Sequence, residues 1–274
     1  MGAVITLTTD FGLADAYVAA MKGVILGINP EAKLIDICHS VEPQNVSQAA
    51  FVLSTAYQFF PERTIHVVVV DPGVGTERRA IILRTPQADF VAPDNGVLSY
   101  VIQQSSAQPV MDRRQIELEP ELEAVAITRP EFWRSPVSPT FHGRDIFAPV
   151  AARLSLGLLP ADFGEPVTSL TVLPLSRPSR ASDGTVVGHI LHVDNFGNLI
   201  TDIKSDDLPQ ARQVTIEVGN QFISGLSRTY GEGEGLLALI GSSGYLEVSL
   251  KEGNASAFLG VRVGSEVKIN TGNR

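Results

Sequence analysis

The sequence predicts an α/β protein with an N-terminal domain built on a mostly parallel sheet with flanking helices, then a smaller C-terminal all-β, barrel-like domain. In the first half, apolar segments of strand length alternate with segments of helical period, which is typical of parallel sheets covered by helices. Residues 174–184 are rich in proline, serine and charge, so they are predicted to be a linker. Beyond them, short apolar runs are separated by turn-forming residues. The predicted domains are therefore 1–173 and 185–274.

The individual elements follow from apolar periodicity and from the turn residues between them. In the first domain, the predicted strands are 4–8, 33–38, 64–70, 81–83 and 89–92. The predicted helices are 15–26, 47–60, a short one from Val97, and 146–156 with Pro149 in its first turn. Residues 105–139 have mixed charge and weak periodicity and are predicted to be irregular. In the second domain, the predicted strands are 186–193, 213–218, 236–240, 245–250 and 264–269.

Composition limits the classes of function that the chain can have. The 274 residues are 44% apolar, enough for full cores, and a net charge of -9 would repel a nucleic-acid backbone. The same acidic balance favours a cationic small molecule. The most apolar stretch, 65–70, is far too short to span a membrane, and the first residues lack the pattern of a signal peptide. With Cys38 as the single cysteine, these features predict a cytoplasmic protein without nucleic-acid or membrane partners.

Polar residues lie just after three of the predicted strands, namely Asp10, His39 and Asp71. Ligands of such sheets bind in the crevice at the carboxyl ends of the strands. The Asp71 loop, residues 71–75 (Asp-Pro-Gly-Val-Gly), combines a carboxylate with two glycines that let backbone N–H groups approach a ligand. Its spacing matches no phosphate-binding loop. The loop therefore indicates either a cradle for a hydroxyl, cation or water, or a tight turn capped by the aspartate.

Further candidates lie near these strand ends. The carboxylate of Asp10 can accept hydrogen bonds from the two vicinal hydroxyls of a ribose. Asp15 is either a second residue of the same site or the N-cap of the helix that follows. His142, beside Asp71 and Arg78, can orient a water molecule and assist removal of its proton, although alone it would be read as structural.

A metal site is the alternative interpretation of the acidic and imidazole side chains. The residues that offer donors are Asp10, His39, Asp71, Asp94 and His142. They do not include the H-x-x-x-H or C-x-x-C spacing that supports such a site. We therefore expect no bound metal.

In the second domain, Asp194 and Asn198 bracket Phe196 just after a predicted strand. A turn alone explains this sequence, and so does a recognition loop. Tyr230 can contribute stacking, while Ser242 and Ser243 can contribute hydroxyl hydrogen bonds to the same cleft.

Together these segments resemble the S-adenosyl-L-methionine hydroxide adenosyltransferases, relatives of the fluorinase and the chlorinase. The motifs occur in family order from residue 9 to residue 244, and the ordered set is highly specific. They are Thr9-Asp10-Phe11-Gly12, Asp36-Ile37-Cys38-His39, Val70-Asp71-Pro72-Gly73-Val74-Gly75-Thr76 with Arg78, Ala92-Pro93-Asp94-Asn95-Gly96, Thr140-Phe141-His142-Gly143-Arg144-Asp145-Ile146-Phe147, Asp194-Asn195-Phe196-Gly197-Asn198 and Ser242-Ser243-Gly244.

The resemblance implies a homotrimer that holds S-adenosyl-L-methionine between the first domain of one subunit and the second domain of its neighbour, with no cofactor. It also assigns the candidates their roles. The implied contacts are Asp10 with the ribose hydroxyls, Asp194 with the methionine amino group, Asn198 and Tyr230 with the adenine, Ser242 and Ser243 with the methionine, and Phe141 near the reacting carbon.

In this family, the residues at three positions indicate which nucleophile attacks the ribose carbon C5′. The family's halogenases carry tyrosine at the position of Asp71 and replace the residues at the positions of Arg78 and His142. This chain has the complete set, which the family associates with water or hydroxide. The expected reaction is hydrolysis to adenosine and methionine, with Asp71, Arg78 and His142 as the catalytic set. A chlorinase-like halogenase and a non-catalytic adenosine-ligand binder are the alternatives.

Overall fold

A computed structural model describes residues 2–105, 114–209 and 213–271. The chain divides into two compact units, Met1–Leu175 and Ser176–Arg274. Within the described residues, no helix is both long enough and apolar enough to cross a membrane.

The first unit contains nine strands and four α-helices among its described residues. Its strands are β1 (Val4–Thr9), β2 (Lys33–Cys38), β3 (Thr64–Val69), β4 (Ala80–Arg84), β5 (Ala88–Pro93), β6 (Gln115–Glu117), β7 (Glu123–Ile127), β8 (Gly164–Val167) and β9 (Ser169–Thr171). Its α-helices are α1 (Tyr17–Ile28), α2 (Val46–Ala56), α3 (Ser99–Ser105) and α4 (Ala148–Leu154), with a π-helix at Gly143–Phe147 and 3-10 turns at Tyr57–Phe59, Pro130–Phe132 and Pro160–Phe163.

Seven of these strands form one sheet in the order β2-β1-β3-β5-β4-β7-β8. The pairings of β1 with β2 and β3, and of β3 with β5, are parallel, whereas those of β4, β7 and β8 are antiparallel. The predicted α/β class is confirmed, and the sheet itself is mixed. Because β1, β2 and β3 run in the same direction, the residues that follow them meet at one edge.

Helices cover both faces of this sheet, which explains why its central strands are apolar without alternation. On one face, α2 and α3 enclose a core around Phe90. On the other face, α1 and α4 enclose a core around Phe147 and Phe163. Full burial of each such side chain contributes about 1.5–3 kcal/mol. Asn45 fixes the start of α2 by accepting a hydrogen bond from the Gln48 backbone N–H at 2.9 Å.

The prediction that residues 105–139 are irregular is wrong for two segments. Strand β7 lies inside the main sheet between β4 and β8, and β6 pairs with β9. The partner strands lie about forty residues from β7, so the stabilising hydrogen bonds leave no local periodicity in the sequence. Residues 106–113 of the same segment lie outside the described residues.

Two predicted helix boundaries are also corrected. The helix expected at 146–156 is a π-helix at Gly143–Phe147 followed by α4, with Pro149 in the first turn of α4 as expected. The π-helix places the buried Asp145 inward, where its carboxylate accepts hydrogen bonds from Arg144. Helix α1 begins at Tyr17 with no side-chain cap, so Asp15 is not its N-cap.

The second unit is an antiparallel, nearly closed barrel. Its strands are β10 (Ser179–Arg180), β11 (Val186–Val193), β12 (Leu199–Lys204), β13 (Val214–Val218), β14 (Gln221–Ser224), β15 (Leu236–Ile240), β16 (Tyr245–Leu250) and β17 (Glu266–Thr271), with a helix α5 (Ala255–Leu259) and a 3-10 turn at Ser205–Asp207. The order is β14-β13-β17-β11-β12-β16-β15, and the edge strands β14 and β15 approach each other. This confirms the predicted all-β class. Strands β12 and β14 were not predicted, and β10 makes part of the predicted linker a strand that pairs with β11.

His66 on β3 is fully buried against the rings of Phe90, Tyr57 and Phe60. Its Nδ1 lies 2.7 Å from the Thr6 hydroxyl oxygen. Burial lowers the pKa of His66 to about 4, because the charged imidazolium would lose its hydration there.

Protonation of His66 therefore makes folding depend on pH. The unfolded chain takes up this proton near the ordinary pKa of 6.5, whereas the folded chain takes it up near pH 4. The free energy of unfolding should fall by up to about 3 kcal/mol from this group as the pH is lowered from 6.5 to 4. Urea unfolding at pH 7 and pH 4.5 measures the effect. The variant Thr6→Val with His66→Leu should lose this part of the acid sensitivity, and an unchanged pH dependence would contradict the assignment.

Candidate functional site

Asp71, Arg78 and His142 form one hydrogen-bonded centre in the first unit. The Arg78 Nε donates to both Asp71 carboxylate oxygens, at 2.9 and 3.0 Å, and one terminal nitrogen of Arg78 also pairs with Asp71. The same terminal nitrogen lies 3.0 Å from His142 Nδ1. Asp71 follows β3 and His142 precedes the π-helix, so the fold brings together the three residues that the sequence grouped.

The centre is shielded from water on one side. The side chains of Asp71 and Arg78 are 5% and 11% exposed, and the guanidinium lies 5.3 Å from the centroid of the Phe147 ring. Burial lowers the pKa of His142, and the charge of Arg78 lowers it further, against the opposing effect of Asp71. The neutral imidazole is therefore the favoured form at neutral pH.

Arg78 also determines which nitrogen of His142 carries the proton. A guanidinium has only N–H donors, so His142 Nδ1 must accept the hydrogen bond that joins the two side chains. The neutral ring then carries its hydrogen on Nε2. His142 consequently presents a donor, and not an acceptor, to any molecule bound at Nε2.

The Asp71 loop is a tight turn, closed by backbone hydrogen bonds from Val74 to Asp71 and from Thr76 to Gly73. Its aspartate is not the cap of that turn, because the carboxylate binds Arg78. Gly75 has φ +76°, and a Cβ at this position would lie 2.4 Å from the Pro139 carbonyl oxygen. Glycine is therefore required for the loop to pack against the segment that leads to His142.

The two acidic residues near the first strand differ in their placement. Asp10 follows β1, and its Oδ2 accepts a hydrogen bond from the Gln44 backbone N–H at 2.8 Å. Asp15 is exposed and makes no hydrogen bond to a described residue. Within the described residues, no hydrogen bond or ion pair joins Asp15 to another candidate.

Phe141 belongs to a cluster of three aromatic rings. Its ring centroid lies 5.8 Å from that of Phe11 and 5.1 Å from that of Tyr17, both edge to face. The guanidinium of Arg144 lies 5.0 Å from the Phe141 centroid. Phe11 and Tyr17 are not among the predicted site residues. For Tyr17 the reason is that a helical pattern alone does not distinguish a ring that faces the loop region from one that faces the core.

The side chains considered as metal donors are engaged elsewhere. Asp94 binds Arg79, and His39 Nδ1 lies 2.8 Å from the Thr9 hydroxyl oxygen. Asp71 binds Arg78. Over the parts of the chain that the structure describes, no group of three or more His, Cys, Asp or Glu side chains is arranged to hold a metal ion.

In the second unit, Asp194 organises the loop that it begins. Its Oδ1 accepts from the backbone N–H groups of Phe196 and Asn198, both at 2.9 Å, and its Oδ2 accepts from Asn198 Nδ2 at 3.0 Å. Gly197 has φ +85° and leaves no room for a Cβ beside Asn254. These hydrogen bonds are the ones expected if residues 194–198 form a turn. Phe196 in this loop nevertheless has 74% of its surface exposed.

Tyr230 is joined to the buried carboxylate of Glu247, which was not predicted as a site residue from the sequence. The Tyr230 hydroxyl donates to Glu247 Oε1 at 2.6 Å, and the Ser249 hydroxyl donates to the same oxygen at 3.1 Å. Burial raises the pKa of Tyr230, and the hydrogen bond to Glu247 raises it further, so the phenol remains protonated. The available signal was a glutamate in the middle of the apolar strand β16.

Ser242 and Ser243 lie in the exposed turn between β15 and β16. Neither hydroxyl has a hydrogen-bond partner in the described part of the chain, so both remain open to a ligand. Gly241 brings this turn close to Glu247, since a Cβ there would lie 2.5 Å from Glu247 Oε2.

Fold and site together define a protein of two units, α/β and β-barrel, whose α/β unit carries a carboxylate, guanidinium and imidazole centre at the strand ends. The chain belongs to the S-adenosyl-L-methionine hydroxide adenosyltransferase family. Residues 5–164 match the model of the family's N-terminal domain, and residues 188–268 match that of its C-terminal domain.

Individual relatives extend over nearly the whole chain. An (R)-S-adenosyl-L-methionine hydrolase of Salinispora arenicola is 37% identical, covering 98% of both chains, and one of Thermus thermophilus is 38% identical, covering 95% of this chain and 97% of its own. The fluorinase of Nocardia brasiliensis is 25% identical, over 98% of this chain and 97% of its own. The crystal structure of an uncharacterized conserved protein from Thermotoga maritima matches with a TM-score of 0.85 and 38% identity, covering 97% of this chain and 99% of that one.

The substitution Gly75→Ala tests the packing of the Asp71 loop. Alanine at positive φ costs about 1–2 kcal/mol, and the contact with Pro139 should add a further cost of about 1–3 kcal/mol. Gly157 in the same unit also has positive φ but has no atom within 4 Å of the added Cβ, so Gly157→Ala is the matched control. Urea unfolding of both variants measures the difference. Equal losses of stability in the two variants would show that the contact with Pro139 does not contribute to the free energy of unfolding.

Proposed function

We propose that the protein hydrolyses S-adenosyl-L-methionine to adenosine and L-methionine by attack of water on ribose C5′. The observation that carries the proposal is the complete Asp71, Arg78 and His142 centre, in a chain 34–38% identical to curated hydrolases of this substrate. The sulfonium leaves as a neutral thioether, so the reaction needs no general acid, metal or cofactor. What remains is to orient one water molecule and to accept its proton.

The geometry supports different roles for His142 and Asp71, the two side chains that Arg78 binds. His142 Nε2–H donates a hydrogen bond to the attacking oxygen, because its Nδ1 is already an acceptor. Asp71 is then the proton acceptor. As the O–C5′ bond forms, the electron pair of the C5′–S bond stays on sulfur, one water proton passes to the Asp71 carboxylate, and the other remains in the new 5′-hydroxyl. The proton on Asp71 afterwards returns to solvent.

Substrate binding is assigned by family resemblance, supported by the local contacts of each unit. Asp10 binds the ribose hydroxyls, and Phe141 with its neighbouring rings lies beside the reacting carbon. The second unit supplies Asp194 for the amino group. Its further contacts are Asn198 and Tyr230 for the adenine and Ser242 and Ser243 for the methionine. A homotrimer in the cytoplasm, with each site completed by the second unit of a neighbouring subunit, belongs to the same proposal.

The configuration of the sulfonium is part of the proposed substrate. A sulfonium is pyramidal and chiral at sulfur, so two epimers of S-adenosyl-L-methionine exist. The curated relatives named hydrolases carry the descriptor (R) in their names. We assign the (R) form to this chain as well.

Halogenation is the closest competing chemistry, and the charge of the centre opposes it. A halide would have to bind beside the carboxylate of Asp71, which is 5% exposed and therefore poorly screened by water. The single arginine of the centre is already paired with that carboxylate. Water is neutral and can use both the His142 donor and the Asp71 acceptor.

Product analysis tests the proposal directly. The purified protein is incubated separately with the (R) and (S) epimers, each with and without chloride, in water enriched in oxygen-18. We expect adenosine labelled at the 5′-oxygen and equimolar methionine, faster from the (R) epimer and unaffected by chloride. Chlorinated 5′-deoxyadenosine would establish the halogenase instead, and binding of substrate without either product would establish a non-catalytic binder.

Two substitutions test the assigned direction of proton transfer. Asp71→Asn removes the acceptor and should lower kcat by at least about 100-fold while the Kd for substrate changes little. His142→Gln keeps an N–H donor, so it should retain clearly more activity than Asp71→Asn. Single-turnover rates and calorimetric binding separate the two effects. A greater loss of kcat in His142→Gln than in Asp71→Asn would assign the proton to the histidine.

A further inference from the structure

The carboxylate of Asp10 is only partly fixed by its own hydrogen bonds. Gln44 donates its backbone N–H to Oδ2 at 2.8 Å, whereas Oδ1 has no partner in the described part of the chain. Gln44 holds this position with φ +65°, a conformation that non-glycine residues adopt only when their surroundings enforce it. A carboxylate that receives two vicinal hydroxyls needs a fixed position, so the backbone around Asp10 must be held by other residues.

His39 contacts the chain on both sides of Asp10. Its Nδ1 lies 2.8 Å from the hydroxyl oxygen of Thr9, the residue before Asp10. Its backbone carbonyl oxygen accepts from the N–H of Gly12 at 2.8 Å. Thr9 Oγ1 in turn accepts from the N–H of Phe11 at 3.3 Å. His39, just after β2, therefore holds the loop that carries Asp10 through contacts on both sides of it.

The ring of His39 is itself held in place. Its side chain is 3% exposed, and Nε2 lies 3.0 Å from Asp36 Oδ1, although the N–H is not well aligned with that oxygen. Lys22 on α1 binds the other oxygen of Asp36 at 2.6 Å. Burial by itself raises the pKa of Asp36, but the hydrogen bond from Lys22 and the nearby imidazole of His39 outweigh it and lower the pKa. A carboxylate at Nε2 keeps the ring proton there and leaves Nδ1 to accept from Thr9.

A register shift in the sheet places these groups. Leu7 pairs with Asp36 but Thr8 pairs with Cys38, so β2 carries one extra residue at this point. Such bulges redirect side chains at the ends of strands. Here the shift lets Asp36 and His39, three residues apart, approach each other while His39 lies beside Thr9.

We propose that His39, held by Asp36 and joined to Thr9, is a positioning residue that fixes Asp10 for binding the ribose of the substrate. The inference rests on the proposed function, since it takes Asp10 as the ribose ligand. His39 touches no reacting atom in this scheme. It acts through the loop of Thr9 to Gly12, and its removal affects binding of the ribose before it affects the chemical step.

A thermodynamic cycle on nucleoside binding tests the proposal without requiring turnover. Thr9→Val removes the hydroxyl and keeps the shape of a fully buried side chain, and Thr9→Ser keeps the hydroxyl as the matched control. Calorimetry measures the Kd of adenosine and of 2′-deoxyadenosine for each variant, alone and combined with Asp10→Ala. We expect Thr9→Val to weaken adenosine binding about tenfold, to weaken 2′-deoxyadenosine binding much less, and to have no further effect in the Asp10→Ala background.

His39 itself is tested by two replacements. His39→Asn places an amide oxygen near the position of Nδ1 and should keep most of the preference for adenosine, whereas His39→Leu should lose it. In turnover, His39→Leu should raise KM with a smaller change in kcat. Equal weakening of both nucleosides in Thr9→Val, or full additivity with Asp10→Ala, would reduce the network to a structural role and overturn the proposal. A protein that shows this coupling but releases no adenosine from S-adenosyl-L-methionine would refute the hydrolase alone.

Discussion

The hydrogen bonds of Arg78 hold together the centre on which the proposed chemistry of the first unit depends. One guanidinium binds the Asp71 carboxylate through two of its nitrogens and also reaches His142 Nδ1, so it fixes the position of both side chains. Because arginine has no acceptor, it also fixes the tautomer of the histidine. The low exposure of the pair strengthens these interactions, since little water competes for them. A lysine could supply the charge but not this planar, multiply bonded geometry.

The sheet brings the loops to this arginine. Parallel strands β1, β2 and β3 end at one edge, which places the Asp10, His39 and Asp71 segments side by side. The π-helix at Gly143–Phe147 then brings His142 to the same edge, and it is held in place by the buried carboxylate of Asp145. Such a helix is less stable than an α-helix, and it occurs here beside His142, a residue of the proposed mechanism.

Buried carboxylates recur in both units, and each is satisfied by donors from the chain. Asp71 is paired with Arg78, Asp145 with Arg144, and Glu247 accepts from the Tyr230 and Ser249 hydroxyls. Pairing of this kind compensates the loss of hydration of each charge. In the second unit it also orients an exposed ring, because the hydroxyl of Tyr230 is tethered while half of its surface stays exposed.

The sequence by itself determined the α/β and all-β classes, most strands, and the grouping of Asp71, Arg78 and His142, because buried parallel strands and glycine-bearing strand ends leave local patterns. It also identified the family through the order of its motifs. Only the tertiary structure revealed β7 in the sheet, the exposed position of Asp15, and the contacts of His39 and Glu247. The pairing of β7 and the contacts of His39 and Glu247 depend on partners distant in the sequence. Hydrogen bonds between such residues have no period along the chain, so only the folded arrangement decides them.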